Sequence, residues 1–146
     1  MQEDLISFET AKLAKEKGFD WDCVNYFQDS HRAGVHKINN INNKIIDELH
    51  QEDKYCIIFF ATPTQSLLQK WLREVHNIYV ESYHDLTSDG TKIQFYTSWG
   101  FLQQKDKNGN RNVNGWYDEY NDWKTYEEAL EIGLQEGLKL LSDEFY

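Results

Sequence analysis

The chain reads as an α+β protein: an antiparallel sheet with helices on one face, ending in a C-terminal α-β-β-β-α unit. Three observations predict this. Thr62-Pro63-Thr64-Gln65 and Thr125-Tyr126-Glu127-Glu128 both carry helix-start chemistry. Between them lie three β-prone stretches separated by turn residues. Consecutive elements in that order form a meander with both helices on one side. Hydrophobic residues make up 40% of the 146 residues and aromatics 15%, enough large rings to build one core. The length fits a single domain over 1–146, with residues 1–60 as a helix/strand subregion and 61–146 as a helix-sheet-helix unit.

The first element is a helix opened by Ser7 as N-cap, with Phe8, Ala11 and Ala14 at helical spacing and Gly18 as its stop. Cys23 to Phe27 reads as a short strand, residues 28–40 as a polar loop, and Ile41 to His50 as a helix with Ile41, Ile45, Ile46 and Leu49 on one side. Tyr55 to Phe60 is a continuous apolar run suited to a strand buried on both faces. Thr62 then reads as an N-cap, with Pro63 at N1 and Gln65 reaching back. Leu67, Leu68, Trp71, Leu72 and Val75 form its apolar stripe, and His76-Asn77 ends the helix.

Ile78 to Tyr83 is the next strand, and Asp89-Gly90 is a turn signal. Thr91 to Gln104 is β-prone, with Ile93, Phe95, Thr97 and Trp99 pointing one way and Gly100 marking a bend. Residues 105–112 are a polar hairpin loop and Val113 to Tyr120 the third strand. The last helix follows Thr125, with acids in its first turn where the dipole favours them. Tyr126, Leu130, Leu134 and Leu138 face its core. Gly133 and Gly137 lie four apart on that side. Each costs helix propensity, which implies that another backbone packs closely there.

Charge and cysteine usage bound the function. The net charge is −10, which repels phosphates and anionic lipid, so neither direct nucleic-acid binding nor membrane binding is expected. Cys23 and Cys56 are too few for a disulfide scaffold and read as reduced, half-buried thiols. The acidic N-terminal residues Glu3 and Asp4 do not suit a signal peptide, and the longest apolar run, Cys56 to Ala61, is too short to span a bilayer. A cytoplasmic protein is expected.

Residues 61–78 (Ala61-Thr62-Pro63-Thr64-Gln65-Ser66-Leu67-Leu68-Gln69-Lys70-Trp71-Leu72-Arg73-Glu74-Val75-His76-Asn77-Ile78) resemble the core of a family of small uncharacterised proteins encoded by gut bacteria and their phages. Residues 125–141, from Thr125-Tyr126-Glu127-Glu128 to Leu140-Leu141, resemble that family's C-terminal helix, and residues 6–18 also fit. The resemblance implies a prophage or mobile-element origin and carries no mechanism. In architecture alone, the α-β-β-β-α order is similar to the double-stranded RNA-binding domain. That domain places bases at the start of its last helix. Here Trp116 to Tyr146 holds nine acids against two bases, Lys124 and Lys139, so the RNA chemistry is missing.

The sequence carries no catalytic signature. His31, His36, His50, His76 and His84 form no HExxH, HxH or cysteine-paired spacing, so no metal or cofactor is expected. His76 suits a helix C-terminus. No glycine loop cradles phosphate, Ser66 follows no nucleophile-elbow pattern, and no signature accompanies Cys23 or Cys56. Glu81, Asp85, Asp118, Glu119 and Asp122 read as a charged outer face or as a converging carboxylate cluster. The aromatic group is more informative: Tyr96, Trp99, Trp116, Tyr117 and Tyr120 are the candidate binding residues, with Phe101 and Trp123 nearby. Alternation cannot bury them all on one side of a strand, and exposed rings mixed with Asn and Asp suit protein partners or sugars. Two readings of that face stand: open to a partner, or covered by residues 1–60. The leading expectation is a non-enzymatic accessory protein that binds another protein. The competing class is a small enzyme whose cleft gathers His84, Asp85, Asp118 and Glu119.

Overall fold

The fold is described from a computed structural model, which covers residues 3–29, 35–49, 58–101, 108 and 116–141; residues 28, 29, 35–40, 48, 49, 58, 116 and 122 are described by backbone alone. It is α+β, with two three-stranded antiparallel sheets among the described residues. The chain divides into two compact units, one up to residue 67 and one over residues 68–141.

The first unit begins with α1 (Phe8–Glu16). The Ser7 hydroxyl accepts from the Thr10 amide, as its N-cap position requires. The helix ends in a Schellman motif. Gly18 sits at φ 88° and donates to the Lys15 carbonyl, while the Phe19 amide returns to the Ala14 carbonyl. Phe19 is thereby turned inward and buried. Strands β1 (Cys23–Asp29), β2 (Val35–Ile41) and β3 (Ile58–Ala61) form a sheet in the order β2-β1-β3, with α2 (Asn43–Leu49) between β2 and β3 in sequence.

The polar stretch 28–40 contains β2, because a ladder along β1 supplies the hydrogen bonds that its Asn and Lys residues do not encode. The Ile41–His50 helix begins later: Ile41 ends β2, Asn42 accepts from the Ile45 amide as a cap, and Ile45 is exposed while Ile46 is buried. Tyr55 to Ile57, His50 and Cys56 lie outside the described residues.

Thr62 is not the cap of the next helix, α3 (Gln65–His76). Its amide donates to the Asn25 carbonyl and its hydroxyl to the Phe60 carbonyl, so the chain continues extended from β3. Pro63 accepts from the Ile6 amide, and Thr64 bridges Leu5. Thr64 is the residue whose hydroxyl accepts from the Leu67 amide at the helix start. α3 ends where expected, with Asn77 in the left-handed region at φ 57°. Val75, placed on its apolar stripe by spacing, is exposed.

The second unit holds the α-β-β-β-α order read from the sequence, from α3 through β4 (Ile78–Leu86), β5 (Ile93–Phe101), β6 (Trp116–Trp123) and α4 (Tyr126–Lys139). The strands form a meander, β4-β5-β6. Residues 105–112 lie outside the described residues apart from Asn108. Leu68, Trp71, Leu72, Ile78, Val80, Leu130, Leu134 and Leu138 are buried. Each contributes roughly 1.5–3 kcal/mol relative to an exposed position. Gly133 and Gly137 are the points of closest approach. A Cβ on Gly133 would overlap the Thr97 hydroxyl and lie 2.8 Å from Val80 Cγ1, and one on Gly137 would lie 2.8 Å from Val80 Cγ2. The close contact inferred from their spacing is therefore made with side chains of β4 and β5. The α4 cap is Thr125, which accepts from the Glu128 amide, while Glu128 reaches back to the Lys124 amide. Tyr126, expected in the core, is exposed at the helix entrance.

Candidate binding surface

The β4-β5 hairpin sets the geometry. Asp89 accepts from the hydroxyls of Thr87 and Thr91 and from the Thr91 amide, and Gly90 takes φ 71°. This turn fixes a register in which Leu86 faces Ile93, His84 faces Phe95, Ser82 faces Thr97 and Val80 faces Trp99. Those pairs belong to the side on which Thr97 and Val80 meet the glycines of α4. The intervening pairs, Tyr83 with Tyr96 and Glu81 with Ser98, belong to the other side.

On that other side the tyrosines form a row. The Tyr83 and Tyr96 rings are 5.2 Å apart and inclined by 26°, and the Tyr96 and Tyr120 rings are 4.6 Å apart and inclined by 22°. The spacing follows the separation of adjacent strands, because each ring stands on the same pleat of its own strand. A bulge makes the third member possible. Phe95 pairs with Trp123 but Tyr96 pairs with Tyr120, so Asn121 and Asp122 are extra residues on β6. Tyr120 is 59% exposed and Tyr83 40%.

Acids border the row. Glu81 and Asp85 lie two residues either side of Tyr83, and Asp118 two residues before Tyr120. Asp118 accepts from the Ser98 hydroxyl. Burial raises the phenol of Tyr83 above its ordinary value, and the charges of Glu81 and Asp118 add to the shift. The phenol of Tyr96 is raised likewise by burial, then by Tyr120, Asp85 and Asp118. The hydroxyls of Tyr83 and Tyr96 thus sit in a negative field.

The five candidate residues do not share this face. Tyr96 and Tyr120 belong to it. Trp116 pairs with Gly100 at the register position of the same side, and its side chain is outside the described part. Trp99 is corrected: it is 8% exposed and belongs to the core on the α4 side. Tyr117 stacks on Trp99 at 5.8 Å on that same side and is 49% exposed. The residue that sequence reasoning missed is Tyr83. A hairpin centred on Asp89-Gly90 pairs 83 with 96, so the signal was present in the turn.

The proposed catalytic gathering is not formed by the strand register. His84 lies against Phe95 at 6.3 Å on the α4 side, and Glu119 faces Thr97 there, while Asp85 and Asp118 lie on the opposite side. The side chain of Asp122 is outside the described part, as are His31, His50 and the side chain of His36. Among the described residues, no three His, Cys, Asp or Glu side chains are grouped to hold a metal ion. Cys23 is buried, and burial with the charge of Asp22 pushes its thiol up to about 12, which keeps it from acting as a nucleophile near neutral pH. No helix among the described residues is long and apolar enough to cross a membrane. No family model, curated protein or solved structure matches the chain.

Proposed function

We propose that this protein is a non-enzymatic accessory protein that binds another protein through the outward side of β4-β5-β6. The observation that carries the reading is the stacked row Tyr83–Tyr96–Tyr120, exposed at both ends. Tyrosine offers a large, rigid contact area with only two side-chain torsions to fix, so little entropy is lost when a partner orders it. Stacking holds the three rings ready before a partner arrives, which lowers that cost further. The net charge of −10 counts against phosphate backbones as the occupant and supports a protein. The segments 61–78 and 125–141 support a prophage-related setting.

Site-specific photo-crosslinking tests the reading. A photoreactive residue at position 120 should yield a defined adduct with one protein in cells that make the chain. The same probe at Val75, exposed on α3, should not yield it. Equal labelling from both positions, or loss of the adduct in neither Tyr83→Ser nor Tyr96→Ser, would count against the face.

A further inference from the structure

The row has two ends, and both carry carboxylates. Tyr96 has a neighbouring ring on each side, but Tyr83 on β4 and Tyr120 on β6, the outer strands of this sheet among the described residues, each have only one within the row. One face of each terminal ring is therefore not used by the stack, in agreement with the exposure of both residues. The π face of a tyrosine attracts a cation. Glu81, Asp85 and Asp118 stand within one pleat repeat of these rings on the same side. The other residues that the register places on this side are Tyr79, Gln94, Ser98, Gly100 and Trp116, so among the described residues the strand pairs bring three acids and no lysine or arginine to this face.

Resting on the protein-binding reading above, we infer that the occupant is an arginine-bearing segment of the partner. Its guanidinium groups stack on the outward faces of Tyr83 and Tyr120 and pair with Glu81, Asp85 and Asp118. Arginine meets both demands at once: its planar group stacks on an aromatic ring while its N–H fork engages a carboxylate. A lysine ammonium, compact and strongly hydrated, meets the charge but stacks less well. A sugar would use the rings and leave the three acids without a counter-charge.

Nuclear magnetic resonance titration of the full chain tests this with a short synthetic peptide of alternating Arg and Ser. Matched peptides carry Lys, or the neutral isostere citrulline, in place of Arg. The Arg peptide should shift the resonances of Tyr83, Tyr96 and Tyr120 and bind most tightly, the Lys peptide more weakly, and the citrulline peptide weakest. Asp118→Asn and Tyr120→Ala should each weaken the Arg peptide by roughly threefold to tenfold, while Glu74→Gln on α3 should leave it unchanged. Equal binding of the Arg and citrulline peptides overturns the inference, as does an equal loss in Glu74→Gln, which would mean diffuse attraction to an acidic surface. The photo-crosslink separates the two readings. An adduct from position 120 mapping to a segment without arginine overturns the occupant and leaves the docking face standing. No adduct, together with no peptide response, overturns both.

Discussion

Asn43 ties two segments of the first unit together with one side chain. Its Nδ2 donates to the Phe19 carbonyl at 2.8 Å and its Oδ1 accepts from the Ala61 amide at 2.9 Å, both buried. Asn43→Ala should therefore lower stability by about 2–4 kcal/mol, since it strands a buried acceptor and a buried donor. Asn43→Asp should also destabilise, because a carboxylate cannot donate to Phe19. Chemical denaturation of both variants checks this, and a loss below that of an ordinary surface substitution would refute it. Asp89 carries a pH dependence. Hydrogen bonds from Thr87 and then Thr91 lower its carboxyl from 3.8 to about 2 in the folded protein. A depressed carboxyl favours the fold above its unfolded value and loses that contribution as pH falls through its folded one. The melting-temperature advantage of the parent over Asp89→Ala should thus shrink between about pH 4 and pH 2 and be flat above pH 5. A difference that stays constant to pH 2 would contradict the linkage.

Helix α4 shows how an element is chosen against its own propensity. Replacing Gly133 or Gly137 by alanine gains about 1 kcal/mol of helix propensity. Against that gain stand Thr97 and Val80 at Gly133, and Val80 at Gly137, which occupy the space where the Cβ would go. β-branched neighbours held on a sheet have little room to turn aside. Both variants should be destabilised, by about 1–3 kcal/mol, with Gly133→Ala the worse because its methyl would overlap the Thr97 hydroxyl as well as crowd Val80. Val80→Ala should cost less in a Gly137→Ala background than alone, since it removes the group the new methyl meets. Denaturant melts of the cycle decide the matter: a more stable Gly137→Ala would show that β4 yields. Element starts were less legible than element interiors. Thr62-Pro63-Thr64-Gln65 has the chemistry of a cap at Thr62 and also at Thr64. Pairing of Thr62 with Asn25 and of Thr64 with Leu5, residues far off in sequence, selects the second.

At the scale of the whole chain, charge is the dominant fact. Against a net −10, the ion pairs Lys15 with Asp47 at 2.7 Å, Lys139 with Glu136 at 3.0 Å, and Lys70 with Glu74 at 3.9 Å are largely exposed. Exposed pairs contribute little, and self-repulsion of the excess acids opposes compaction. Raising sodium chloride from about 10 mM to about 300 mM shortens the screening length severalfold and should raise the melting temperature. A fall would mean that pairs such as Lys15–Asp47 outweigh the repulsion.

The α+β class, the C-terminal order of elements, the caps at Ser7 and Thr125, the stops at Gly18 and Asn77, and the close contact at Gly133 and Gly137 were determined by the sequence itself. Each rests on local chemistry: a side-chain oxygen near a free amide, a residue that tolerates positive φ, a spacing of four. The pairing of Tyr83 with Tyr96 was also within reach, since a turn at Asp89-Gly90 sets the register of its own hairpin. Only the tertiary structure decided that 35–41 is a strand, that Trp99 is core, and that Tyr120 joins the row through a bulge at residues 121 and 122. Those outcomes depend on which strand lies beside which, and ladder hydrogen bonds are non-local. A single-residue slip in register would exchange the tyrosine row for the residues now facing α4.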